Sequence, residues 1–205
     1  MNNSWNKVIY KIWSPIYDRV FNSGAFLSAR KKVFSNTNFT KGQKILFVGV
    51  GTGADLELIE DHFDLDITAI DFSRDMLAKA RNKFRNSKIK FQEMDAQNMD
   101  FENNTFDVVV ASLIISVVPD ADKCLKEIAR VVKLGGTIII FDKFNGETQK
   151  QSFSKKLLRP VIKVLGTDIG LNFEELYSRN NDELIIVENT PLMMNGMYRK
   201  IILSK

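Results

Sequence analysis

The spacing of apolar positions changes period along the chain. The segments 44–48, 66–71, 88–93, 106–112 and 136–142 read as strands. Between them, residues 53–63, 73–85 and 120–132 place apolar side chains three and four apart, the helical spacing. Alternating strands and helices predict an α/β fold, a parallel sheet wrapped by helices. Ser73 and Asp120 suit helix N-caps, and Gly135 follows the helix ending near Lys133 as a stop signal. A further helical stretch is expected near 150–165. After it come two strand-like runs, 183–188 and 197–203, joined by a turn containing Pro, Asn and Gly. With no repeat, low-complexity tract or long linker, residues 1–205 are expected to form one domain. Its parts are an N-terminal helical region, 1–40, and a core, 41–205.

The junction after the first strand carries the most chemistry. Lys44-Ile45-Leu46-Phe47-Val48-Gly49-Val50-Gly51-Thr52-Gly53-Ala54-Asp55 reads as a strand entering a glycine turn and then a helix. Glycines at alternate positions allow a tight turn and a close approach of backbone to ligand. The start of a helix there would offer free N–H groups to an anionic group. Asp71 closes the second strand about 20 residues on, where an acid can accept hydrogen bonds from a ribose. Turn and acid describe a site for a nucleoside ligand. Gly49-x-Gly51-x-x-Ala54 also satisfies the dinucleotide pattern, so these two features leave NAD and S-adenosylmethionine both open.

A longer series of motifs separates them. Gly49-x-Gly51-x-Gly53, Ile70-Asp71-Phe72-Ser73-x-x-Met76-Leu77, Glu93-Met94-Asp95-Ala96, Phe106-Asp107-Val108-Val109-Val110 and Leu134-Gly135-Gly136-Thr137 follow one another in that order. As a set they resemble class I S-adenosylmethionine-dependent methyltransferases, over roughly residues 40–145. The resemblance implies a Rossmann-like fold: a mostly parallel seven-stranded sheet with an antiparallel last strand and an N-terminal helical lid. It also implies S-adenosylmethionine as cofactor and S-adenosylhomocysteine as product. Gly49, Gly51 and Gly53 would line the amino-acid moiety and Asp71 would hold the ribose hydroxyls. Phe72 and Met76 would pack on the adenine, although a Met at helical spacing also suits a core. Asp95 and the N–H of Ala96 would read the adenine edge. Ser112 and Leu113 would lie beneath the methionine portion.

Tyr10-x-x-x-x-Pro15-Ile16-Tyr17-Asp18-x-x-Phe21 is similar to the N-terminal lid of bacterial phospholipid N-methyltransferases and their ubiquinone/menaquinone C-methyltransferase relatives. Gly49-Val50-Gly51-Thr52-Gly53 and Ile115-Ser116-Val117-Val118-Pro119-Asp120 look closer to the phospholipid branch, which methylates phosphatidylethanolamine. By this resemblance Tyr17 helps close the lid over the cofactor and is the candidate catalytic residue. Phe141-Asp142-Lys143-Phe144, beside the acceptor pocket, departs from that branch.

Charge and composition narrow the partners. A formal charge of +4 permits an anionic membrane surface or nucleic acid without choosing between them. Trp5, Ile9, Ile12, Trp13, Ile16 and Val20 fall at helical spacing among Lys7, Lys11 and Arg19. Lys155, Lys156, Arg159 and Lys163 lie among Phe153, Leu157, Leu158, Val161 and Ile162. Both stretches suit peripheral contact with an anionic membrane, and both suit a cover over the sheet with solvated charges. No nucleic-acid partner is expected, for want of an appended binding domain. Oligomeric state is left open.

No apolar run reaches the ~18 residues of a membrane span, the N-terminus lacks the core of a signal peptide, and Cys124 is the one cysteine. A cytoplasmic protein is expected, at most peripheral on the inner face of the membrane. Asp107 opens its strand, away from the edge where ligands bind, and reads as structural. His62 is poorly placed for catalysis, Cys124 reads as a buried filler, and no residue spacing suggests a metal.

The expected activity is therefore methyl transfer to the amine of phosphatidylethanolamine or a related lipid. A quinone precursor or small soluble metabolite is the alternative acceptor. A non-catalytic cofactor sensor and an NAD-dependent oxidoreductase are the more distant readings.

Overall fold

The computed structural model describes residues 23–59, 64–145 and 170–205. In chain order the elements are α1 (Gly24–Phe34), β1 (Lys44–Val48), β2 (Asp66–Asp71), α2 (Arg74–Lys83), β3 (Lys90–Glu93), β4 (Phe106–Ser112), α3 (Ala121–Val131), β5 (Val132–Lys143), α4 (Phe173–Ser178), β6 (Ile185–Met193) and β7 (Tyr198–Ser204). The strands form one seven-stranded sheet in the order β3-β2-β1-β4-β5-β7-β6. β1 to β5 pair in parallel, and β7 runs antiparallel to both neighbours, as expected from the sequence.

Alternation along each strand divides the core between the two faces of the sheet. Leu46, Val48, Val109 and Ala111 face one side, where Leu125, Ile128 and Val131 of α3 cover them. Ile45, Phe47, Val108 and Val110 face the other, against Phe26, Ala29 and Val33 of α1. Strand order reverses at β1, whose neighbours are β2 and β4. At such a switch point the loops leaving β1 and β4 diverge to opposite faces and open a crevice at the carboxyl ends of the strands.

Both expected caps form. The Ser73 hydroxyl accepts from the Met76 N–H at 3.4 Å, and the Asp120 carboxylate accepts from the Lys123 N–H at 3.0 Å. The helix expected over 53–63 differs. Gly53 stands at φ +87°, outside the helical region, and the described residues beyond it make a single 3-10 turn, Leu56–Leu58, that ends at Ile59 with φ −126°. Anion-seeking N–H groups in the described segment therefore belong to the glycine turn itself, not to an α-helix start. Strand β5 also begins earlier than expected: Val132 pairs with Phe106, and the register shifts before Thr137 pairs with Val108. Gly135, at φ +76° inside this irregular stretch, donates its N–H to the Lys205 carbonyl at 2.7 Å. The basic stretch 150–165 and the lid segment 1–22 lie outside the described residues.

Candidate functional site

The turn after β1 is held open from below. Gly49 and Val50 both donate to the Ile70 carbonyl, at 2.9 and 3.0 Å, which ties the turn to the end of β2. Gly49, Gly51 and Gly53 all have positive φ, a conformation that side chains rarely adopt. Their surroundings differ. A Cβ on Gly49 would strike Ile114 at 2.8 Å, and one on Gly53 would strike the Phe84 ring at 2.5 Å. A Cβ on Gly51 would meet nothing within 4 Å. Gly49 and Gly53 let the turn pack inward, while Gly51 presents bare backbone to an open concavity lined also by Thr52, Asp55, Arg30 and Ser112.

Asp71 sits beside this turn. One carboxylate oxygen accepts the Gly51 N–H and the other the Ser73 N–H, both at 2.8 Å. Burial pushes its pKa up, while the N–H groups of Ser73, Gly51 and Phe72 pull the other way and offset only part of the rise. Each carboxylate oxygen still has acceptor capacity beyond one N–H bond. Phe72 is half-buried, and Met76 is 2% exposed in the first turn of α2. After β3, Asp95 accepts from the backbone and side-chain nitrogens of Gln97 at 2.9 Å. The methyl group of Ala96 belongs to the core cluster beneath.

Ser112 ends β4 and is 8% exposed, and its Oγ has no hydrogen-bond partner among the described residues. A buried hydroxyl without a partner costs roughly 1–3 kcal/mol, so its presence in the concavity is informative. The next residue, Leu113, holds φ +54°, a strained conformation for a branched side chain at the mouth of the same strand.

Two features escaped the sequence reading. Arg30 of α1 makes a buried ion pair with Asp55, just past the glycine turn, and both side chains line the concavity. In the sequence Arg30 opens the run Arg-Lys-Lys and resembles any solvated basic patch; a partner 25 residues away leaves no local signal. Asp142, near the end of β5, is wholly buried and accepts from the Ser116 hydroxyl at 2.6 Å, the Ser116 N–H at 3.1 Å and the Lys143 N–H at 2.8 Å. Burial raises its pKa, and these donors restore only part of the difference.

Asp107 behaves otherwise, at the opposite edge of the sheet. It accepts the Lys44 N–H at 2.8 Å and the Lys133 ammonium at 2.6 Å. Partial burial works to raise its pKa, but the Lys133 and Lys44 contacts prevail and lower it. The structure thus agrees with a structural reading of this acid. Cys124 is buried, and burial raises its thiol pKa. Tyr17 and His62 lie outside the described residues. Among the described residues, no group of His, Cys, Asp and Glu could hold a metal ion, and no helix is long and apolar enough to cross a membrane.

Comparison with known proteins follows the same geometry. The family described as "Methyltransferase domain" matches residues 46–140, from β1 into β5. Phosphatidylethanolamine N-methyltransferase of Cereibacter sphaeroides is 34% identical over 193 residues, covering 92% of each chain. Ubiquinone/menaquinone biosynthesis C-methyltransferase UbiE of Desulfotalea psychrophila is 30% identical over 128 residues, which cover 62% of this chain and 52% of that protein. Among solved structures, a SAM-dependent methyltransferase of Thermotoga maritima superposes with a TM-score of 0.70 at 19% identity, covering 97% of this chain and 99% of that one. At that identity the likeness concerns the fold.

Proposed function

The chain belongs to the S-adenosylmethionine-dependent methyltransferases, and from that premise we propose that it methylates the amine of phosphatidylethanolamine or a related lipid. The observation that carries this reading is the likeness to the Cereibacter sphaeroides enzyme, which spans nearly the whole of both chains. The quinone reading draws on a likeness to about half of its protein, and it is the second choice for that reason.

The donor set fits the cofactor. Bare backbone at Gly51, the Ser112 hydroxyl with no partner among the described residues and the spare acceptor capacity of Asp71 suit a nucleoside that carries a polar tail. In this reading Gly49, Gly51, Gly53 and Ser112 surround the amino-acid end. Asp71 accepts from the ribose hydroxyls, while Phe72, Met76, Asp95 and Ala96 border the adenine. Tyr17 belongs to the lid that closes over the site, and residues 1–40 supply that lid to a single domain. Bound there, the cofactor supplies an electrophilic methyl group on a sulfonium.

Displacement at that methyl is in-line and its leaving group departs neutral, so the chain's main task is alignment. Orientation can supply up to ~7–11 kcal/mol. An alkyl ammonium must also lose its proton, which at pH 7 costs on the order of 4–5 kcal/mol for a pKa near 10.4. Desolvation beside the cofactor's positive charge lowers that cost. A lipid acceptor brings the enzyme to a membrane surface, and the basic stretches at 1–20 and 150–163 suit an anionic one.

The test is transfer of labelled methyl from S-adenosylmethionine into vesicles containing phosphatidylethanolamine, followed by lipid extraction and separation. Label in mono- and dimethylated lipid is the expected result. An unlabelled lipid fraction, with S-adenosylhomocysteine binding retained, would move the search to quinone precursors and soluble metabolites.

A further inference from the structure

We propose that the tip of the β6–β7 hairpin, formed by Leu192, Met193, Met194 and Met197, inserts into the lipid interface and sets the crevice against the bilayer. This deepens the reading of a lipid acceptor and rests on it. Tyr198 opens β7 opposite Lys143 and Met193, at the carboxyl ends of the parallel strands. The tip therefore projects from the edge that carries the glycine turn and Ser112. Two strand spacings separate β7 from β4, about 10 Å across the sheet. The Phe144 N–H donates to the Met197 carbonyl at 2.7 Å and ties the tip to the segment leaving β5.

Asn195 and Gly196, at φ +54° and +82°, suit a tight hairpin turn, which the Met197 N–H closes on the Met194 carbonyl at 3.1 Å. Met194 also holds φ +52°, rare for a bulky side chain, and stands 53% exposed. Leu192, Met193 and Met197 are half-buried and root the tip on the core. From Asn189 to Tyr198 no residue is charged, in a chain where 26% are. Such a tip carries no ion into a low-dielectric interface, and its turn brings its own hydrogen bond. Methionine is flexible enough to adapt to irregular apolar surroundings. Four apolar side chains on a convex tip fall far short of the ~800 Å² per partner of a stable protein interface, whereas shallow insertion needs no such area. Lys143 and Arg199 stand at its base, Arg199 paired with Glu174 at 2.6 Å. The other end of the hairpin differs. Ile185 and Val187 are 68% and 64% exposed, but Ile185 pairs with Ser204 at the amino edge, away from the crevice. The ion pairs Glu183–Lys205 and Glu188–Lys200 lie beside them, and a bilayer interface would have to desolvate both.

A polarity-sensitive dye coupled to a thiol on the full chain reads insertion directly. Cys124 is buried, so Met194→Cys and, separately, Ile185→Cys each direct the dye to one end of the hairpin. With vesicles of phosphatidylethanolamine and phosphatidylglycerol, the dye at 194 should brighten, shift to the blue and be quenched by quencher-bearing lipid. The dye at 185 should do none of these. A silent dye at 194, or equal responses at both positions, would overturn the proposal. So would a response at 194 that rises with protein concentration in the absence of vesicles, which marks a contact between copies of the chain. Met194→Asp keeps a residue that tolerates positive φ. It should weaken vesicle sedimentation about fivefold or more and leave S-adenosylhomocysteine affinity within about twofold; unchanged sedimentation would refute the insertion. Insertion is read without methyl transfer, so the two readings fail separately. A response confined to 194, with no label reaching lipid, would refute the lipid acceptor and support the surface.

Discussion

The two edges of the sheet treat acidic residues in opposite ways. At the amino edge, Asp107 is joined to the Lys133 ammonium and the Lys44 N–H, and its pKa is lowered. At the carboxyl edge, Asp71 and Asp142 take their hydrogen bonds from backbone N–H groups and, for Asp142, a serine hydroxyl, and burial raises both. A cation at hydrogen-bonding distance neutralises Asp107 and fixes two strand ends; nothing further is asked of it. Held by neutral donors, the two carboxyl-edge acids have burial as the largest influence on their pKa, and the donors offset only part of it. Identical side chains thus become a charge-paired staple at one edge and desolvated acceptors of neutral donors at the other, and the partner makes the difference.

Substitutions at the three positions test that contrast, in falling order of effect. Asp71→Ala should reduce S-adenosylmethionine affinity by about a hundredfold or more, since two hydrogen bonds to a charged acceptor are lost, with an unchanged circular dichroism spectrum. Unchanged affinity by calorimetry would remove Asp71 from the ribose site and make the carboxyl-edge acids no different from Asp107.

Asp142→Asn addresses stability. Because folding raises the Asp142 pKa, ionisation disfavours the folded state. That penalty develops as pH climbs from the unfolded value, about 3.9, towards the raised folded value, at ~1.4 kcal/mol per unit of displacement. The unfolding free energy of wild type relative to Asp142→Asn should accordingly fall across this window in urea titrations. A flat difference would mean that the Ser116 and Lys143 donors fully offset burial.

Asp107→Asn should produce the smallest change, under about 1 kcal/mol at neutral pH, because the Lys133–Asp107 pair is roughly one-third exposed and screened by solvent. Its sign is the reverse. The contribution of a lowered pKa is present above the unfolded value and disappears as pH falls through the folded one, so variant and wild type should converge in acid. A gap that persists in acid would show the loss to be packing, not charge.

Local signals carried much of this molecule. The period of apolar residues located the central strands, nearly all of whose positions are buried in β1 and β4, whereas β3 and β6 are largely exposed. Ser73 and Asp120 were legible as caps because a capping bond spans three residues. The glycine turn and Asp71 were legible for a similar reason, since positive φ and a strand-end acid leave residue-level marks. The helix expected at 53–63 went astray where Gly53 itself cannot be helical, and its described part is a 3-10 turn.

What the amino-acid sequence determined by itself, then, is whatever depends on neighbours within a few positions: the strands, the caps, the turn and the motif order that marks a methyltransferase. Tertiary structure alone decided which charges meet. Arg30 finds Asp55 across 25 residues, Ser116 finds Asp142 across 26, and Gly51 finds Asp71 across 20, each through a sheet whose strand order is not chain order. Coulombic and hydrogen-bond energies depend on distance and burial in space, and neither quantity is a function of separation along the chain.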